Sequence, residues 1–237
     1  MYKDISVSAL IAAAGQGKRM NSDINKQYLK LVDKPILAHT LEAFLQCDMI
    51  DEIILVVGQE EMGLCQEEVI DKYGFDQKPI KIVSGGKERQ ESIFNGLKAV
   101  AKETEIVVTH DGARPFITVD IIERSIVGAH DNGAVGVGVP VKDTIKVVDE
   151  DTNIVDTPER SKLWQIQTPQ TFVYDLLKEA HLHAQNDDFL GTDDSVLVEK
   201  IGHKVKMIKG SYENIKITTP EDIFFGEAIL KKRQFKI

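Results

Sequence analysis

Cysteine is scarce in this chain: two in 237 residues, Cys47 and Cys65, with no metal-ligand spacing between them. A disulfide-stapled scaffold or a cysteine-based zinc module does not fit that count, and a reduced, cytoplasmic compartment is the economical expectation. A single bridge between the two remains the alternative. Long apolar runs are missing too, since none approaches the roughly 18 residues that span a bilayer. The opening "MYKDISVSALIAAAG" lacks a basic region followed by a sufficient apolar one, so no secretory signal is expected. Positive charge is the smaller share, 29 Lys and Arg against 38 Asp and Glu, for a net charge of −9. A nucleic-acid or anionic-membrane binder would normally show a basic face, so neither partner is expected. Repeats, low-complexity tracts and evident linkers are absent as well. A phosphate ligand would therefore need a local basic cluster working against the overall field.

Short β-rich runs alternate with amphipathic helical patterns. The strand candidates are "VSALIAA" from Val7, "EIILVVG" from Glu52, "IKIVSGG" from Ile80, "EIVVTHDG" from Glu105 and "AVGVGVPV" from Ala134. Between them, "ILAHTLEAFLQC" sets Ile36, Leu37, Leu41, Phe44 and Leu45 on one helical face, and "RQESIFNGLKAVA" does the same with Ile93, Leu97 and Val100. Near-continuous apolar strands joined by helices predict an α/β fold, a Rossmann-like, mostly parallel sheet with helices on both faces. From Lys142 the pattern changes: "DTIKVVDEDTNIVDTPER" reads as two short strands around the polar turn "DEDTN", a protruding β-hairpin arm. A strand at "LWQIQTP", helices at "VYDLLKEAHLHAQ" and "DDSVLVEKIG", a strand at "KVKMIKG" and a last helix from "TTPEDIFF" complete the pass. Thr218 or Thr219 can cap that helix ahead of Pro220. The expectation is one domain over 1–237 with an excursion at about 142–160.

The first strand ends in "AAAGQGKRM". A dinucleotide fingerprint needs G-x-G-x-x-G, but Met20 stands at the third position; a P-loop needs a serine or threonine where Arg19 stands. Both templates fail. What remains is Gly15 and Gly17 followed by Lys18, Arg19 and Lys26, placed at the carboxyl edge of a strand, where ligands of open α/β sheets bind. Glycines admit backbone N–H groups close to a phosphate, and the cations can neutralise its oxygens. Farther on, "SGGKERQES" gives a second glycine turn before a helix, with Arg89 and Ser92 able to face a nucleotide. "HDGARP" sets Asp111 at a strand end beside Gly112 and Arg114. Asp111 there is either a magnesium ligand next to a triphosphate or the partner of Arg114 in a structural ion pair. His110 reads as positional rather than catalytic.

These blocks together carry a resemblance. "AAAGQGKRM", "KQYLKL", "KPILAHTLEAF", "SGGKERQESIFNGL", "VTHDGARPF", "PVKDTIK", "TPERSKLWQIQTPQTF", "TDDSVLVE" and "NIKITTPEDI" occur in the order seen in the cytidylyltransferases of the isoprenoid pathway, over almost the entire chain. The resemblance implies a nucleotidyltransferase that moves CMP from CTP to 2-C-methyl-D-erythritol 4-phosphate. The products are 4-diphosphocytidyl-2-C-methyl-D-erythritol and pyrophosphate. It implies Mg²⁺ or another divalent cation held by Asp111, and CTP held by Ala13, Ala14, Gly15, Gly17, Lys18, Gly85, Gly86, Arg89, Ser92, Asp111 and Gly112. Arg19, Lys26, Arg160 and Lys216 would be catalytic, and Thr144, Arg160, Thr168, Thr192 and Arg114 would hold methylerythritol phosphate. The hairpin would cross to a partner in a homodimer and bring Arg160 to the neighbour's site.

The sister family that acts on ribitol 5-phosphate is the nearest rival. At Ala13 or Ala14, Tyr28, Gly112, Lys142 and Thr192–Asp193 the chain sides with the methylerythritol enzymes. A hexose 1-phosphate nucleotidylyltransferase would not share the downstream blocks. A non-catalytic nucleotide-binding module is the alternative of another class, and loss of Lys26, Asp111 or Lys216 would have favoured it.

Overall fold

The structure, a computed structural model, describes residues 5–15 and 25–235. Strand β1 (Val7–Ala12) leads to a small ribbon, β2 (Lys30–Leu31) and β3 (Lys34–Pro35), and to helix α1 (Ile36–Leu45). Next come β4 (Glu52–Val57), α2 (Met62–Cys65) continuing in wider turns to Asp71, β5 (Ile80–Ser84), α3 (Arg89–Leu97) and β6 (Ile106–Asp111). Helix α4 (Val119–Asn132) and β7 (Ala134–Pro140) precede the hairpin β8 (Val147–Val148) and β9 (Ile154–Asp156). The chain ends with β10 (Trp164–Val173), α5 (Tyr174–Asn186), α6 (Asp194–Lys200), β11 (Lys206–Lys209) and α7 (Pro220–Phe235).

Seven strands form one sheet in the order β11-β7-β10-β6-β1-β4-β5. The apolar run of β4 is buried at every residue, as a strand covered on both faces requires. Side chains alternate between the faces: Ile11, Ile53, Leu55 and Val108 join Leu37, Leu41, Phe44 and Ile122 in one core. Leu10, Ile54, Val56 and Val107 join Ile93, Leu97, Phe172 and Leu177 in the other. Both cysteines are buried free thiols.

The expected mostly parallel sheet is present, with one exception. Strand β10 runs antiparallel to both neighbours, β6 and β7. It also continues to Val173, four residues beyond the Pro169 at which the sequence pattern ends it. Proline lacks the N–H a ladder needs, and the register against β7 shifts between Ile166 and Gln170, so Pro169 sits where the ladder is interrupted. Two helical segments, α4 and 62–71, were not foreseen. In α4 the β-branched Ile121, Ile122 and Ile126 lower helical propensity; burial of that face holds the helix. At the start of α7 the carboxylate of Asp222 accepts the N–H groups of Thr218 at 2.8 Å and Thr219 at 2.9 Å, so the closure comes from Asp222 one turn in.

The hairpin stands where the sequence places it, with Val147 opposite Asp156 and Val148 opposite Ile154. Its Val147, Val148, Ile154 and Val155 are all exposed. The chain passes from β1 to β4 and β5 on one side, then returns to β6 on the other. The strand order therefore switches between β1 and β6, and a crevice opens at their carboxyl ends.

Candidate active site

That crevice holds a cleft of about 150 Å³. Ala13, Ala14 and Gly15 leave the end of β1, Asp111 ends β6, and Gly86, Arg89 and Ser92 come from the turn into α3 and its first turns. Lys26 and Lys216 complete the set, so nine of the residues read from the sequence meet on one wall. Gly17, Lys18 and Arg19 lie outside the described residues. The lining also includes Gln27, Lys87, Glu88 and Ala113, which residue-type reasoning did not single out.

The second glycine turn is built by close approach. A Cβ on Gly85 would stand 2.4 Å from that of Ala14, so only glycine lets the turn close on the end of β1. Ser92 holds the turn from below: its hydroxyl accepts the Gly86 N–H at 3.0 Å and donates to the Glu88 carbonyl at 3.0 Å.

Asp111 organises the centre. Its carboxylate meets Arg89 Nε at 3.1 Å, Lys216 Nζ at 2.8 Å and Arg114 Nε at 3.5 Å. Burial alone would raise its pKa; Arg89, Lys216 and Arg114 together hold it well below the usual carboxylate range. The Arg114 pair of the sequence reading is present, and Asp111 also lines the cleft. Arg89 is gripped a second time: its Nη2 lies 2.9 Å from Asp194 Oδ2, which also accepts from the Thr109 hydroxyl at 2.7 Å. Buried carboxylates demand such partners. Lys216 is delivered by the segment after β11, where the Ile217 N–H donates to the Ala113 carbonyl at 2.8 Å and Arg114 Nη1 donates to the Asn214 carbonyl at 2.9 Å.

Behind the wall, the Thr168 hydroxyl accepts the Asp111 N–H at 3.0 Å and lies 3.0 Å from His110 Nδ1. His110 Nε2 lies 3.2 Å from the Arg114 carbonyl, so the neutral ring accepts from Thr168 and donates to that carbonyl. Thr168 is buried, so here its hydroxyl serves the backbone of Asp111. Gly112 is buried beside it. Thr144, Arg160 and Thr192 are exposed and do not line the cleft; Arg160 Nη1 donates to the Lys142 carbonyl at 3.0 Å, at the base of the hairpin.

Burial pushes His110 down to about 3, so the folded protein keeps it neutral where the unfolded chain, near pKa 6.5, takes up a proton. Stability should therefore fall as pH drops from 6.5 toward 3, by up to about 1.4 kcal/mol per pH unit from this group. Asp111, depressed, adds its own loss only as pH falls below about 4. Urea midpoints at pH 7 and pH 5 measure the first effect; equal midpoints would contradict it.

Among the described residues no group of three or more His, Cys, Asp and Glu could hold a metal by itself. Asp111 and Glu88 are the carboxylates that line the cleft. The oxygens of Asp111 are already paired with Arg89, Lys216 and Arg114, so Asp111 could hold a divalent ion arriving with a nucleotide only by giving up part of those pairs. None of the described helices is long and apolar enough to cross a membrane.

Comparison with known proteins places almost the whole chain beside one family. Residues 7–232 match the family model of IspD, 2-C-methyl-D-erythritol 4-phosphate cytidylyltransferase. The chain is 54% identical over 227 residues to the protein of that name from Alkaliphilus oremlandii, covering 96% of each. It is 53% identical to the one from Caldanaerobacter subterraneus, over 96% of this chain and all of that one. The crystal structure of 4-diphosphocytidyl-2C-methyl-D-erythritol synthase from Anaerococcus prevotii superposes with a TM-score of 0.86 at 37% identity, covering 96% of this chain and 97% of that one.

Proposed function

Because the chain belongs to the 2-C-methyl-D-erythritol 4-phosphate cytidylyltransferase family, we propose a reading of its cleft residue by residue. The enzyme transfers CMP from CTP to 2-C-methyl-D-erythritol 4-phosphate in isoprenoid biosynthesis. A phosphate oxygen of methylerythritol phosphate bonds to the α-phosphorus of CTP, the bond from that phosphorus to the bridging oxygen breaks, and pyrophosphate leaves with the electron pair. The attacking oxygen is already anionic near neutral pH, so no side chain need remove a proton. The observation that carries the reading is Asp111 at the switch point, surrounded by Arg89, Arg114 and Lys216, with Lys26 on the same cleft wall. Such an array positions polyanions and meets charge that grows in the transition state.

Ala13, Ala14, Gly15 and Gly86 bring backbone close to the nucleotide, while Arg89 and Ser92 shape its surroundings. Lys26 and Lys216 face the phosphates, and Gly17, Lys18 and Arg19, which lie outside the described residues, act with them. Mg²⁺ held by Asp111 would neutralise phosphate charge and polarise the reacting phosphorus. Thr144, Arg160 and Thr192, exposed outside this chain's own cleft, would hold methylerythritol phosphate, while Thr168 and Arg114 would act from behind the cleft wall through Asp111. The arm at about 142–160 joins two copies of a single-domain chain; the exposed apolar residues of β8 and β9 support this, since such side chains in a projecting arm favour cover. The location is cytoplasmic, with no nucleic-acid or membrane partner.

Pyrophosphate release with CTP should require a divalent cation and run with higher kcat/KM on methylerythritol 4-phosphate than on ribitol 5-phosphate. The reverse preference would move the chain to the sister activity. Nucleotide binding without release would support a binding module.

A further inference from the structure

Lys26 sits in a three-residue turn, Lys26–Tyr28, and the residues on either side of it are tied to one distant carboxylate. Asn25 Nδ2 donates to Glu61 Oε1 at 2.5 Å. Gln27 Nε2 donates to the Ala13 carbonyl at 2.6 Å and lies 3.5 and 3.4 Å from the two Glu61 oxygens. Glu61 is held in turn by the Gly58 N–H, which donates to Oε2 at 3.1 Å just past the end of β4. The approach is tight: a Cβ on Gly58 would stand 2.7 Å from that oxygen. Glu61 itself does not line the cleft.

We propose that Glu61 is a positioning residue for the transfer, fixing the Lys26 turn against the end of β1 through Asn25 and Gln27. This rests on the reading of Lys26 as the cation at the transferred phosphoryl group. The physical case is a matter of reach. A flexible lysine contributes to a transition state only if its backbone is set, and displacements of about 1 Å remote from the chemistry can cost about 10²-fold. Gln27 is 2% exposed, so its amide needs its partners and cannot exchange them for water. Glu61 thus ties the turn that carries Lys26 to the end of β4, and Gln27 ties the same turn to the end of β1.

The test is pyrophosphate release by the full chain with saturating CTP and methylerythritol 4-phosphate. Glu61→Leu should lower kcat about 10–100-fold while KM for CTP stays within about threefold. Glu61→Gln, which keeps a carbonyl acceptor, should recover to within about threefold of the parent. Gly58→Ala keeps the carboxylate but displaces it; its backbone, φ −58° and ψ 143°, suits alanine, so it should fold and show an intermediate loss even if Glu61→Leu does not fold. The double variant Glu61→Leu/Lys26→Ala should be no slower than Lys26→Ala alone, because both act through one cation. Unchanged kcat in Glu61→Leu or in Gly58→Ala, a KM effect alone, failure of Glu61→Gln to recover, or losses that multiply would each overturn the proposal. If Lys26→Ala itself keeps full kcat, the reading of Lys26 falls instead, which separates the two failures.

Discussion

Lys26→Ala lowers kcat for CMP transfer by about 10²–10³-fold and weakens CTP binding much less. The turn carrying Lys26 is anchored to the end of β1 through Gln27, on the wall that holds Asp111 and Lys216. A cation fixed there meets charge that appears as pyrophosphate separates, and removing one preorganised stabiliser of that kind costs two to three orders of magnitude in rate, about 2.7–4 kcal/mol. Arg89, Lys87 and Lys216 also line the cleft and, on the proposed reading, would still meet the ground-state triphosphate. Stopped-flow turnover at saturation together with calorimetric CTP titration decides the matter. Collapse of CTP affinity with turnover intact would make Lys26 a ground-state anchor.

The second large effect concerns Arg160. It is exposed, hydrogen-bonded to the Lys142 carbonyl at the hairpin base, and not among the residues lining its own chain's cleft. If the arms of two chains exchange, Arg160 serves the neighbour, and a two-fold interface builds two equivalent composite sites. Arg160→Ala and Lys26→Ala are then each nearly inactive as homodimers. Mixed and allowed to exchange subunits, they recover to about a quarter of parental activity. At random exchange about half the molecules are heterodimers, and each has one site with both residues intact and one lacking both. Native mass spectrometry reports the exchange. Exchanged mixtures that stay inactive would place both residues in the site of one chain.

Much of this architecture was legible because β1 and β4 carry long apolar runs and β6 opens with one at 106–108, as strands buried on both faces favour. The hairpin was legible for the opposite reason, a polar turn between two short β-branched pairs. The direction of β10 was not. Parallel and antiparallel neighbours present similar side chains to the faces of a sheet, and only the three-dimensional path reveals that this strand returns between β6 and β7. At the site, residues with charge or special backbone freedom stood out: Gly15, Lys26, Gly85, Arg89, Asp111 and Lys216. Gln27, Glu61, Asp194 and Thr109 did not, because each works through a partner 14 to 85 residues away. A hydrogen-bonding role of that kind, whether the side chain donates as Gln27 and Thr109 do or accepts as Glu61 and Asp194 do, leaves no local pattern. Thr168 was noticed through the resemblance, yet its hydroxyl turns inward to the Asp111 amide.

The arrangement around Asp111 makes the resting cleft behave as an ion exchanger already loaded with its own counterion. Lys216 and Arg89 are occupied by a carboxylate before any nucleotide arrives. On the proposed reading, a phosphate that reaches Lys216 or Arg89 would displace an internal anion rather than fill a vacant charge. Part of the attraction is cancelled, so the ground state is held less tightly than the number of cations suggests. The same internal anion is present when pyrophosphate is to leave, ready to reclaim Lys216 at close range. With the phosphates placed as proposed, a cleft wired in this way would favour release and repeated cycles over retention of either polyanion.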